Sequence, residues 1–129
     1  MNRLTTLAAA AIEIATIASK ALMRRLASEI VARRNGPTLT AAIHNGDLVT
    51  IGAHLTTLGA DTDTVRRYGS TLGKKVKAAH LALTGRTPMQ VWTVGPHGYP
   101  IQVSVYSPAD PSLTEGVTGY DRTAHLVNA

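Results

Sequence analysis

Residues 4–34 run without a glycine or proline and are dense in Ala, Leu, Ile and Arg, so one long helix is their natural conformation. Asn35-Gly36-Pro37 should end it, because glycine accepts a left-handed backbone and proline cannot continue a helix from within. Leu4, Leu7, Ala11, Ile14 and Ala18 recur at steps of three and four, and Leu22, Leu26 and Ile30 continue at a step of four. That makes an apolar stripe which drifts from heptad register, not a strict coiled-coil seam. A chain of 129 residues is one small domain's worth of material, and such a helix is longer than the domain can cover. Part of the stripe is therefore open to pairing with a second subunit, the alternative being that it packs wholly on its own domain.

The same stretch has the outline of an export signal, with Arg3 ahead of an apolar run. Glu13 inside the run argues against that, as do Lys20, Arg24 and Arg25 following without a small-x-small cleavage site. A membrane span needs about 20 uninterrupted apolar residues, and Glu13 and Lys20 break the run. The expectation is a cytoplasmic protein with no membrane partner.

With 44% hydrophobic and 16% charged residues, the chain is too apolar for a disordered tail and too polar for a membrane protein. The absence of cysteine excludes disulfides, thiolate zinc sites and thiol nucleophiles. Thirteen Lys and Arg against eight Asp and Glu give a net charge of +5, which suits an anionic partner.

After Pro37, residues 38–44 read as a short helix ended by Asn45-Gly46, with Asp47 expected to cap the next one. There Leu48, Ile51, Leu55 and Leu58 fall at helical spacing, Gly59 supplies a left-handed stop, and Thr62 or Asp63 restarts the helix. Two helices joined by so short a turn have the outline of a helix-turn-helix. From Asp61 to Arg86 there are six basic residues, Arg66, Arg67, Lys74, Lys75, Lys77 and Arg86, against two aspartates. Residues 20–34 carry the same net excess, but there the basic side chains scatter around the helix. At about 100° per residue, Val65, Tyr68, Leu72, Val76, Ala79 and Leu83 share one face. Arg66, Arg67, Ser70, Lys74 and Lys77 collect on the opposite one. A stripe of like charge opposite a core stripe is the form of a phosphate-tracking surface, although an ordinary solvated face has the same pattern.

The run from Leu58 to Tyr68 resembles the turn and recognition-helix start of bacterial and phage helix-turn-helix regulators. Leu58 stands as the apolar residue before the turn glycine, Gly59 as that glycine, Val65 as the aliphatic residue six positions on, and Tyr68 as a further core position. The resemblance covers about residues 51–68. It departs from the pattern at His54 and Leu55, where the family usually has an aliphatic residue and a small Ala, and at Gly69 and Gly73, which interrupt the second helix. It implies that Arg66 and Arg67 reach base edges or adjacent phosphates and that Thr62 and Thr64 bond phosphates. Lys74, Lys75, Lys77 and Arg86 would position the backbone, with Ser70 on the same face.

Beyond Gly85 and Pro88 the period changes to two. Met89, Val91 and Thr93, then Ile101, Val103 and Val105, alternate on either side of a Gly/Pro-rich loop at 95–100, which predicts an antiparallel hairpin over about 89–106. A hairpin after a helix-turn-helix is the order of a winged helix, in which the loop approaches the sugar-phosphate backbone or the minor groove. This loop has no Lys or Arg, only His97 and Tyr99. Asp110 and Pro111 should start a short helix over about 111–119 whose Leu113, Val117 and Tyr120 pack against the hairpin. The segment 120–126 should be tied down. Residues 92–126 are similar to small proteins of actinobacterial phages and plasmids, a likeness that names no activity.

His44, His54, His80, His97 and His125 never fall at metal-ligand spacing, and no phosphate loop, nucleophile elbow or paired carboxylate motif is present. His80 reads as a half-buried packing residue and His97 as a polar loop residue. The sequence thus predicts no catalytic residues, no metal and no cofactor. It predicts a mainly α fold with a β-hairpin (α+β), a winged-helix-like domain over 38–127 preceded by a long helix over 4–34. The expected function is binding of double-stranded DNA by a homodimer or higher homo-oligomer, as a transcriptional regulator or architectural protein of phage or plasmid type. The competing class is a protein-interaction module, such as a phage-encoded inhibitor whose first helix binds a host protein. Single-stranded nucleic acid is disfavoured, because only five aromatics are present and they form no evident stacking surface.

Overall fold

The computed structural model describes residues 3–127, with side chains from residue 6. Leu4, the first residue of the expected stripe, therefore has its side chain outside the described residues. The fold is mainly helical with one two-stranded hairpin. It divides into two compact units, one formed by the chain up to Pro37 with Trp92–Ile101, the other by Thr38–Val91 with the chain from Gln102 onward. The hairpin tip thus belongs with the long helix and its base with the remaining helices.

In the first unit, α1 (Arg3–His44) is helical up to a break at Gly36, whose φ of 81° and ψ of 166° are not helical. Pro37 then opens the turns that run on to His44, as a proline at a first helical position can. Leu7, Ile12, Ile14, Ile17, Leu22, Leu26 and Ile30 are all exposed, and among the described residues of α1 Ala27 alone is buried. The exposed residues do not form a single stripe, since Ile12 and Ile17 lie off the expected one. The helix from Thr6 also contains an 18-residue window of mean hydropathy 1.4, none of it buried, so it is long and apolar enough to cross a membrane by length and composition. Glu13 and Lys20 do not interrupt the helix.

The face that carries Ala27 meets the hairpin tip. The Asn35 side chain donates to the Trp92 carbonyl at 2.9 Å and accepts from the Trp92 N–H at 2.7 Å. Arg34 lies over the Trp92 ring, 4.3 Å from its centre. Arg24 donates to the Pro96 carbonyl at 3.4 Å.

In the second unit, α1 ends with Gly46 in the left-handed region (φ 79°). The Gly46 and Asp47 N–H groups bond back to Ile43 and Ala42. Asp47 therefore closes the preceding helix and does not cap the next. The reason is long-range: Val49 and Tyr106 exchange backbone hydrogen bonds of 2.8 and 2.9 Å, which holds 48–49 extended and delays the helix. Helix α2 (Ile51–Thr57) is capped instead by the Thr50 side chain, which accepts from the Ala53 N–H.

The turn after α2 is a Schellman motif. Gly59 N–H bonds to the Thr56 carbonyl and Ala60 N–H to that of Leu55, with Gly59 at φ 98°. Asp61 then caps α3 (Thr62–Thr84), which ends at left-handed Gly85. Gly69 and Gly73 do not interrupt α3, which is a continuous helix of 23 residues. The hairpin follows as β1 (Met89–Val94) and β2 (Pro100–Val105), close to its expected limits.

Helix α4 (Pro111–Gly119) starts from Asp110 and Pro111 as the sequence suggests, but it packs principally on α3, not on the hairpin. Its Leu113 and Val117 join Leu55, Leu72, Val76 and Tyr106 in one core. Leu83, expected on the core face, is exposed, so the buried stripe of α3 stops short of its last turn. The closing turn η1 (Ala124–Leu126) is tied down by Thr123, whose buried hydroxyl donates to the Val117 carbonyl at 2.9 Å.

Two of the interior helical glycines, Gly69 and Gly116, occupy opposite environments. A Cβ at Gly116 would come within 3.2 Å of Val76 Cα and closer still to its side chain, whereas a Cβ at Gly69 would meet nothing. Gly116→Ala should lower the unfolding free energy by about 1–3 kcal/mol through overpacking. Gly69→Ala should raise it by about 0.5–1 kcal/mol through helix propensity. Urea melts of the two variants check both signs.

Candidate nucleic-acid interface

The core face of α3 determines what its outer face can do. With Leu72 and Val76 fully buried, the residues half a turn away are pointed at solvent. Arg66, Arg67, Ser70, Lys74 and Lys77 are all exposed and fall within an arc of about 100° on the helix. Along the axis the row from Arg66 to Lys77 is about 16 Å long.

Lys75 and Arg86 lie off this row. Lys75 stands 5.3 Å from the centre of the Tyr120 ring, on the flank of α3 next to α4. Tyr120 meets Tyr68 edge-on at 6.2 Å, and Arg122 lies 5.8 Å from the centre of the Tyr68 ring. Arg86 follows the helix end, with its backbone N–H on the Thr84 hydroxyl.

Carboxylates occupy the start of the helix. Asp61 accepts from the Thr64 N–H at 2.7 Å, and this bond, helped by the Thr64 side chain, holds the Asp61 carboxyl below its ordinary range. Thr62 is exposed, but the N–H of Thr64 is already used by this cap. Asp63 takes Arg66 at 2.6 Å on one oxygen and Arg67 at 3.0 Å on the other. Both arginines are thus paired to one exposed carboxylate. Exposed pairs of this kind are worth about 0–1 kcal/mol, so a stronger anion displaces them readily.

Around the turn, Leu55 fills the core where the resembled motif has a small Ala. The close approach of α2 to α3 falls at Gly52 instead, where a Cβ would lie 3.4 Å from Val65. His54 is half-buried, and burial holds its imidazole below its ordinary pKa.

Folding also assembles a Ser, His and Asp that lie far apart in sequence. His80 Nδ1 is 2.9 Å from Asp110 Oδ2 and 3.5 Å from Ser112 Oγ, and Ser112 Oγ donates to Asp110 Oδ1 at 2.5 Å. A nucleophilic serine needs the imidazole nitrogen opposite the one held by the carboxylate, together with access to substrate. Here both partners crowd Nδ1 and Ser112 is fully buried. The trio clamps the end of α3 to the start of α4, with the Tyr106 ring edge-on to His80 at 5.6 Å. Burial pushes the Tyr106 phenol above its ordinary pKa. Among the described residues, no group of three His, Asp or Glu could hold a metal ion.

Sequence reasoning counted the cations of the first helix but missed that folding gathers two of them beside the hairpin loop. Lys20, Met23 and Arg24 line a cleft of about 300 Å³ with Pro96, His97 and Gly98. The hairpin loop has no Lys or Arg of its own, and α1 brings two beside it.

Compared with known protein families, curated proteins and solved structures, the chain shows no match.

The Asp110 clamp is pH-dependent. Burial works to raise the carboxyl, but two hydrogen bonds from Ser112 and the His80 imidazole outweigh it, leaving the group below its ordinary value of 3.8. A folded-state pKa below the unfolded one gives stability that is present above pH 3.8 and lost as the pH falls through the folded value. Asp110→Ala should therefore cost about 1–2 kcal/mol at neutral pH as the helix cap is lost. Its deficit relative to wild type should narrow below pH 4, as followed by denaturant melts across pH.

Proposed function

We propose that the protein binds double-stranded DNA through the exposed face of α3, as a small regulator or architectural protein without enzymatic activity. One observation carries this reading: Arg66, Arg67, Ser70, Lys74 and Lys77 form a single exposed row opposite Leu72 and Val76, on the helix that follows a tight Schellman turn. A cationic row on one helix face can follow a phosphate backbone, and the arginines near the front of that helix can read guanine edges. The order of two helices, a short turn and a hairpin supports a winged-helix reading, and the Val49–Tyr106 bridge ties the start of α2 to the end of that hairpin.

The exposed apolar residues of α1 favour self-association, since a surface carrying Ile12, Ile14, Ile17 and Leu22 in the open calls for a partner. A second copy suits a DNA binder, because two half-sites add binding energy that one small domain lacks. The same exposure would serve a module that docks on another protein, with no nucleic acid involved.

Salt-titrated binding to random duplex DNA is the test. Lys74→Ala and Lys77→Ala should each weaken binding and flatten the slope of log K against log salt by about one unit. An unchanged slope removes α3 from the contact. Asp63→Asn should tighten binding, because it frees both arginines and removes a carboxylate facing phosphate, while lowering stability by no more than about 1–2 kcal/mol through the lost pairs and helix-start charge.

Light scattering should give the mass of a dimer or higher species, and Ile14→Asp should convert it to a monomer with impaired DNA binding. A wild-type monomer that binds no duplex at low salt would favour the protein-docking reading. Recovery of the protein with lipid vesicles would point instead to a membrane role for α1.

A further inference from the structure

In the first unit, the side of α1 facing the hairpin loop carries Lys20, Arg24, Arg34 and Asn35 within an arc of about 100° around Ala27. Asn35 and Arg34 fix the Trp92 end of this contact, and Arg24 fixes the Pro96 end. The loop between is firmly built. Gly98 N–H closes a turn on the Gly95 carbonyl at 3.0 Å, and Gly95 N–H bonds to the Tyr99 carbonyl at 2.8 Å. Gly98 takes a φ of 85° and packs near Arg24, whose Cγ would lie 3.7 Å from a Cβ there.

The cleft between these two elements has a cationic lining. Lys20 and Arg24 flank it from the helix, one turn apart, and His97 lines it from the loop. Among the described residues, neither Lys20 nor Arg24 is paired with a carboxylate; Glu29 is engaged by Arg25 at 3.9 Å, and Arg34 by the Trp92 ring. The hydrogen bond from Arg24 to Pro96 uses one terminal nitrogen and leaves the rest of the guanidinium for an acceptor. Its volume of about 300 Å³ places the cleft at the lower end of sites that enclose a small group.

We propose that this cleft binds one phosphate group of a polynucleotide backbone. Lys20 supplies a point charge, Arg24 a forked donor, and His97 the remaining donor group. This rests on the nucleic-acid reading of the protein but not on α3, so the two fail separately.

The full chain is titrated by NMR with inorganic phosphate and with a short random-sequence duplex, following the backbone amides of His97 and Gly98. Wild type should shift at both residues in both titrations, and the shifts should be lost in Lys20→Gln/Arg24→Gln. In binding assays that variant should reduce the salt slope by about one unit, the loss of one phosphate contact. Lys20→Gln alone leaves the Arg24 bond to the loop in place and should weaken the phosphate shifts, which separates loss of charge from loss of structure. No shift at 97–98 with phosphate overturns the cleft as an anion site. Phosphate shifts with a salt slope that the double variant leaves unchanged overturn the polynucleotide as its source. Failure of wild type to bind duplex at all sinks the nucleic-acid reading and the polynucleotide source together, and the phosphate titration then decides the cleft by itself.

Discussion

Val76 fills the space that any side chain at residue 116 would require. That contact brings the backbone of α4 onto α3 and lets Leu113 and Val117 reach Leu72 and Leu55 in a single small core. Because α4 covers this side of α3, the row from Arg66 to Lys77 is left on the other side, while Lys75 and His80 flank the contact with α4. The cationic row is thus the reverse of the packing. Its position follows from where α4 sits, and its composition from what a solvated helix face tolerates. The His80, Asp110 and Ser112 clamp secures the same pair of helices near the end of α3.

Local signals in the sequence decide the conformation wherever the chain answers only to its neighbours. Gly36 breaks the first helix, Gly59 turns the chain, Gly85 stops α3, and Asp110 with Pro111 begins α4. They mislead where a distant partner decides. Asp47 looks like a cap by local chemistry, but the pairing of Val49 with Tyr106 needs the following residues extended. Helix α4 looks like a cover for the hairpin because its own apolar face does not say what it meets. Gly69 and Gly73 look disruptive by propensity, yet packing of Leu72 and Val76 carries the helix through them.

The candidate sites divide in the same way. The row on α3 was legible because one helix carries both its charges and the core that orients them. The cleft at Lys20 and Arg24 was not, since projecting a helix gives angles between its residues but not which angle faces a loop more than seventy positions later. Ala27 marks that direction, yet in so alanine-rich a helix a buried alanine leaves no trace in the sequence. Near the start of α3, charge was legible but its pairing was not. Asp63 holds both arginines, so their availability to a ligand depends on competition as well as on exposure.

The Asn35 amide, with its donor on the Trp92 carbonyl and its acceptor on the Trp92 N–H, stands in for one residue of a neighbouring strand. Both bonded groups belong to one residue, so they point away from β2, along the outer edge of β1. At the other edge Val49 does the same for Tyr106 with its backbone. A two-stranded sheet has two open edges, each a template for strands of other chains. In this protein each edge is blocked at one residue by a different part of the chain. At these two positions no strand from another chain can take up the backbone groups of the hairpin.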